Sequence, residues 1–199
     1  MHPENLFNPK SGDILITGKK GRGKTMSGVA LGKNAYESGV RVFSNFEVHF
    51  PHSVIRCIED LRSAKGGLVL IDEAYEILES RRGTSKEVIN ITSELKKSRK
   101  RHNKLVIISQ LDSEIDKRAR ELSDYLIRPT VRKDANGKPF LMRWEIYTLR
   151  DEVGKPTEWI KKVNYKFQIS DTLLNAYDTD ADAYDFSKDR KAYRAAQFK

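Results

Sequence analysis

The stretch Gly18-Lys19-Lys20-Gly21-Arg22-Gly23-Lys24-Thr25 constrains this chain more than any other feature. It matches G-x-x-x-x-G-K-[ST], a pattern that needs a strand before it and a helix after it. Both flanks are present: an apolar run at 14–16 precedes Gly18, and 24–38 has helical character. The glycines let the backbone coil until successive N–H groups point inward at a β-phosphate, and the helix N-terminus adds partial positive charge. The candidate nucleotide-binding residues are therefore Gly18, Lys19, Lys20, Gly21, Arg22, Gly23, Lys24, Thr25 and Met26. Lys24 would bridge β- and γ-phosphate oxygens, and Thr25 would place its hydroxyl on Mg²⁺, which makes ATP and Mg²⁺ the expected ligands. The charges of Lys19, Lys20 and Arg22 fit solvent better than the phosphates.

Two further apolar runs, 68–71 before Asp72 and 105–108 before Ser109, read as buried parallel strands. Helical segments are expected at 53–64 and 85–101, the latter with an apolar stripe of Val88, Ile89, Ile91 and Leu95. Shorter strands are expected at 40–44 and at 125–128, where Pro129 would stop the strand. Strands alternating with helices imply an α/β fold, a RecA-like P-loop core with a central, mostly parallel sheet flanked by helices. After Lys133 the turn signal Asp134-Ala135-Asn136-Gly137 and the alternation from Leu141 to Tyr147 imply a β-hairpin or meander, with a last strand over 159–169. Ser170 would cap a short helix reaching Ala176, followed by a polar tail. The expectation is a single domain over 1–199, with the nucleotide core at 12–130 and the hairpin extension and tail at 131–199.

The second half of the site is Leu68-Val69-Leu70-Ile71-Asp72-Glu73, an apolar strand that delivers acids where ligands bind in open α/β sheets. Asp72 would hold Mg²⁺ through a water, and Glu73 would polarise the attacking water as general base. The third strand presents Ser109-Gln110 at the same edge, which makes Gln110 a candidate sensor of the γ-phosphate.

Together these pieces resemble the additional-strand catalytic-glutamate ATPases, and within them the HerA/FtsK-like motors. The likeness extends to Zot-like ATPases of filamentous phages and to packaging ATPases of archaeal and tailless bacterial viruses. It rests on the Gly18 to Thr25 loop, Val42-Phe43-Ser44-Asn45, Asp72-Glu73-Ala74, Ser109-Gln110, the segment 116–120 and Tyr177-Asp178-Thr179, and it is best over 12–130. The resemblance implies an ATP hydrolase that translocates DNA as a homo-oligomeric, hexameric ring, in which an arginine from one subunit completes the site of the next. Arg128 and Arg120 stand first for that role, ahead of Arg118, Arg99 and Arg101, while Arg81 and Arg82 suit a loop touching substrate in the pore. Filamentous-phage members continue into a membrane-spanning helix, and this sequence has none.

The chain carries 37 basic and 28 acidic residues, and because 171–199 is nearly balanced, the excess sits in the first 170 residues. Such charge suits a phosphate-rich partner, double-stranded DNA before others, or an anionic membrane surface. The densest positive stretch is 96–104, KKSRKRHNK, which phosphate contact or simple solvation would explain. A single Cys57 excludes an internal disulfide, and with no signal peptide the expected location is the cytoplasm, a host's if the source is viral. Two other readings stand beside the motor: an assembly ATPase driving virion extrusion with a membrane or capsid partner, and a small-molecule P-loop kinase with Arg81 and Arg82 in its lid.

Overall fold

The computed structural model describes residue 6 and residues 12–74, 86–110, 122–150, 158–178 and 183–184. The elements are β1 (Ile14–Thr17), α1 (Lys24–Glu37), β2 (Arg41–Ser44), β3 (Ser53–Val54), α2 (Ile58–Ser63), β4 (Gly67–Ile71), α3 (Lys86–Lys97), β5 (Lys104–Ser109), β6 (Tyr125–Lys133), β7 (Pro139–Arg150), β8 (Glu158–Gln168) and α4 (Asp171–Leu174). The strands form one eight-stranded sheet in the order β3-β2-β4-β5-β1-β6-β7-β8. Pairing is parallel from β3 through β6 and antiparallel in the meander β6-β7-β8.

The central strands bury both faces, which is why their sequences are continuous apolar runs instead of alternating ones. One face carries Ile16, Leu70, Val106 and Ile108 under α1 and α4; the other carries Leu15, Val69, Ile71 and Ile107 under α2 and α3. Helix α1 lies unusually close to the sheet, since a Cβ on Gly28 would meet Ile108 Cδ1 at 2.4 Å. The glycine loop therefore projects from a helix pinned directly on β5.

Three expectations change. Residues 53 and 54 are strand, because they pair with Phe43 and Ser44, and the helix begins only at Ile58. Pro129 does not end β6: β1 stops opposite Ile127, so past that point the β1 side of β6 has no ladder bond to lose, and the strand continues to Lys133. The boundary drawn at 130 thus falls inside a strand. The basic helix stops at Lys97 and tightens into a 3₁₀ turn over Arg99–Arg101, closed by His102 at φ 59°. As expected, Ser170 caps α4, its side chain accepting from the Leu173 N–H.

Candidate functional site

The loop after β1 reaches left-handed backbone at Gly21 (φ 76°) and Gly23 (φ 84°), conformations that glycine adopts without strain. Gly23 is the N-cap of α1; it has no side chain to occupy the first-turn N–H groups, and that turn contains no acid. By contrast α2 carries Glu59 and Asp60 in its first turn. The start of α1 thus keeps its donors and its positive end for an anion. Ser27 Oγ bonds the Gly23 carbonyl at 2.7 Å, and Trp144 Nε1, fully buried on β7, donates to Ser27 Oγ at 2.8 Å. A Cβ at Gly23 would strike Val131 at 2.5 Å, so the meander props the loop from beneath.

Opposite the loop, β4 ends at Asp72. The Thr25 hydroxyl donates to Asp72 Oδ2 at 2.6 Å, joining the two halves of the site. Asp72 is held by Asn45 at the end of β2: the Asp72 N–H donates to Asn45 Oδ1 at 2.7 Å, and Asn45 Nδ2 donates to the Asp72 carbonyl at 3.1 Å. Glu73 follows at φ 54°, a left-handed conformation unusual for a residue with a side chain, and its N–H donates to Asp72 Oδ1. Lys24 Nζ lies 3.3 Å from the Lys19 carbonyl.

These groups surround a cleft of about 320 Å³. Lys20, Gly21, Gly23, Lys24, Thr25 and Met26 line one side; Asp72, Glu73, Ser109 and Gln110 line another, and Tyr177 closes it. Gln110 and Lys20 are exposed at the rim and Met26 is buried, whereas Gly18, Lys19 and Arg22 are not among the lining residues, Lys19 and Arg22 being exposed. Burial raises the Asp72 carboxyl above its usual range, against the bonds from Thr25 and Glu73 and the charge of Lys24. Burial likewise lowers Lys24, and the charges of Asp72 and Glu73 oppose it. Tyr177 is pushed up to about 12 by burial and by the Asp72 carboxylate.

A profile of the zonular occludens toxin (Zot) family matches residues 46–182. The chain belongs to the Zot family. No curated protein sequence matches it significantly. The fold of this Zot-family chain is similar to that of the N-terminal domain of zonular occludens toxin from Neisseria meningitidis, with a TM-score of 0.53 and 17% identity over 84% of this chain and 99% of that one. It is also similar to the flagellar accessory protein FlaH of Methanocaldococcus jannaschii, with a TM-score of 0.51 and 9% identity over 80% of this chain and 94% of that one. The genome packaging NTPase B204 of Sulfolobus turreted icosahedral virus 2, in complex with ATP-gammaS, gives a TM-score of 0.51 and 13% identity over 78% of this chain and 99% of that one. The shared fold is that of RecA-like P-loop NTPases.

The Zot-family chain departs from expectation in its basic segment. Arg99 Nε pairs with Asp13 at 2.9 Å, and the same guanidinium reaches Asp124. Arg101 and Lys97 each lie 3.0 Å from Glu94. Burial opposes ionisation of Glu94, but the bonds from Lys97 and Arg101 outweigh it and hold the carboxyl below its usual range. Lys104 is 2% exposed and donates to the Leu6 carbonyl. Lys97, Arg99, Arg101 and Lys104 thus each meet an oxygen within the chain, while Lys96 and Lys100 are exposed. Arg128 is exposed on β6 with its guanidinium 5.1 Å from the Tyr147 ring, away from the cleft-lining residues. Arg120, Arg118, Arg81 and Arg82 lie outside the described residues.

Asn45, Tyr177 and the Trp144–Ser27 pair were not assigned site roles from sequence. Asn45 and Tyr177 stand within the stretches that carry the family resemblance, but nothing local to either residue says that it meets Asp72.

Proposed function

We propose that this Zot-family chain is a Mg²⁺-dependent ATPase whose turnover moves nucleic acid, in viral or mobile-element DNA packaging or transfer. The observation that carries the reading is the convergence of Thr25, Asp72, Lys24 and Glu73 on one cleft at a helix N-terminus with unoccupied first-turn donors. The hydroxyl of Thr25 and the carboxylate of Asp72 are oxygen ligands of the kind Mg²⁺ takes. Among the described residues no group of three or more His, Cys, Asp or Glu gathers, which suits an ion that shares its coordination with phosphates and water.

In this reading the amides of Gly21 to Thr25 hold the β-phosphate, and Lys24 neutralises β- and γ-oxygens. A bound Mg²⁺ supplies further positive charge to those oxygens. Glu73 accepts the proton of the water that attacks the γ-phosphorus while ADP leaves, and Gln110 at the rim contacts the γ-phosphate or that water. An arginine of a neighbouring subunit would complete the site in a hexameric ring; Arg120 stands ahead of Arg128 for that role, since Arg128 lies on the meander over the Tyr147 ring. The cytoplasm, a host's for a viral source, is the proposed location.

Lys24→Ala should lose nucleotide binding, whereas Glu73→Gln should bind ATP and fail to turn it over. Sizing with a non-hydrolysable ATP analogue, with and without double-stranded DNA, tests the motor. Protein that forms no oligomer, and whose ATPase rate DNA leaves unchanged, contradicts it. Membership of the Zot family favours a second reading, a virion assembly or extrusion ATPase acting with a membrane or capsid partner. Among the described residues no helix is long and apolar enough to cross a membrane, so that reading calls on a partner or further chain. Liposome flotation separates the two.

A further inference from the structure

The excess positive charge of the chain must lie somewhere, and the 96–104 segment spends much of its own on internal carboxylates. A second set of cations gathers where the chain has no basic run. Along the meander, side chains alternate between faces. Met142, Trp144 and Ile146 enter the core beneath α1 and α4. The opposite face continues from Leu126 and Tyr147, which pack with the other core cluster.

Register fixes what that opposite face displays. Arg128 stands beside Glu145 and Asn164, Thr130 beside Arg143 and Lys166, Arg132 beside Leu141 and Gln168, and Tyr147 beside Lys161. On this face of the three adjacent strands, Arg128, Arg132, Arg143, Lys161 and Lys166 therefore stand with Glu145 as the one carboxylate among the described residues. Glu145 is engaged by Arg143 at 3.3 Å and by Lys161 at 2.9 Å, and it cannot neutralise the rest. Arg128, Arg132 and Lys166 are exposed. The cations are far apart in sequence, and only antiparallel pairing brings them together.

We propose that this meander face is the surface that grips the phosphate backbone of nucleic acid, resting on the reading that nucleic acid is what the ATPase moves. Its chemistry suits a polyanion held without reading base sequence, since the cations are spread over a sheet face, not set on an element that enters a groove. An anionic membrane is the poorer fit: surface binders add apolar anchors. Among the described residues the exposed large apolar side chains are Tyr36 and Phe140, and Phe140 alternates to the other side of β7 from Arg143.

The test measures binding of the full chain, with an ATP analogue, to a short random-sequence duplex across about 50 to 200 mM salt. Arg132→Gln with Lys166→Gln should weaken binding and lower the slope of log K against log salt by about 2 units, with nucleotide affinity unchanged. The matched pair Lys96→Gln with Lys100→Gln should leave the slope nearly as in the parent. Parent-like binding by the meander variant, or a loss that appears only in the 96/100 variant, overturns this assignment and leaves the motor reading intact. A parent chain that floats with anionic vesicles and ignores DNA removes the motor reading itself, and the assignment with it.

Discussion

Replacing Asn45 by alanine takes three hydrogen bonds from a side chain with no solvent exposure. Two of them hold the backbone of Asp72 from both sides, and the third reaches the carbonyl of Tyr184. Each bond contributes about 1 kcal/mol net, and a stranded Asp72 N–H adds to the cost, while the Tyr184 carbonyl, on a half-buried residue, can turn to water. The expected loss is about 3 kcal/mol, or roughly 6–12 °C in Tm for a chain of this size. That is a large share of a typical domain's stability, yet the protein should still fold. The effect should not stop at stability. Glu73 keeps its positive φ in a turn fastened through Asp72, so loosening that turn should lower kcat and raise the Mg²⁺ concentration needed for half-maximal ATPase. Nucleotide affinity, which rests on the loop and Lys24, should change less. Urea unfolding with an unchanged m-value gives the stability term, and ATPase titrations with Mg²⁺ give the other. A variant that loses under about 1 kcal/mol and keeps the parent Mg²⁺ requirement would refute the clamp.

Glu73→Gly should stabilise the fold by about 1 kcal/mol, because glycine removes the left-handed strain at φ 54°, while abolishing turnover; a variant that is less stable, by thermal unfolding, contradicts the strain argument. Tyr177→Phe keeps the buried ring and removes the hydroxyl that feels the Asp72 charge, so unfolding should be nearly unchanged while ATPase shifts in kcat or Mg²⁺ requirement; unchanged kinetics would reduce Tyr177 to packing. Lys104 has its pKa lowered by burial to about 8, against the raising charge of Asp13. Between that value and the ordinary lysine value of 10.5 the unfolded chain holds a proton the folded chain has released, so this residue makes stability rise with pH across that window. Urea midpoints at the two ends of the window should show that rise in the parent and a smaller one in Lys104→Met.

The glycine loop, its two flanks, the acids after β4 and the parallel core were legible because each is local. A glycine spacing, an apolar run and the residue that follows it are contiguous in the chain, and their chemistry follows from backbone geometry there. The short helix cap at Ser170 was legible for the same reason. The helix expected at 53–64 failed where a distant strand claimed its first residues, and Pro129 was misread because its tolerance depends on where β1 ends.

By itself, the sequence determined that a glycine-rich loop opening a helix would sit beside a strand that delivers Asp72 and Glu73. Tertiary structure alone decided that Asn45 fastens those acids, that Trp144 reaches under the loop through Ser27, and that Tyr177 closes the cleft. It also decided which charges are spent, since an ion pair such as Arg99 with Asp13 joins residues 86 positions apart. Partners brought together by folding leave no spacing to read, and a cation's availability depends on whether such a partner is there.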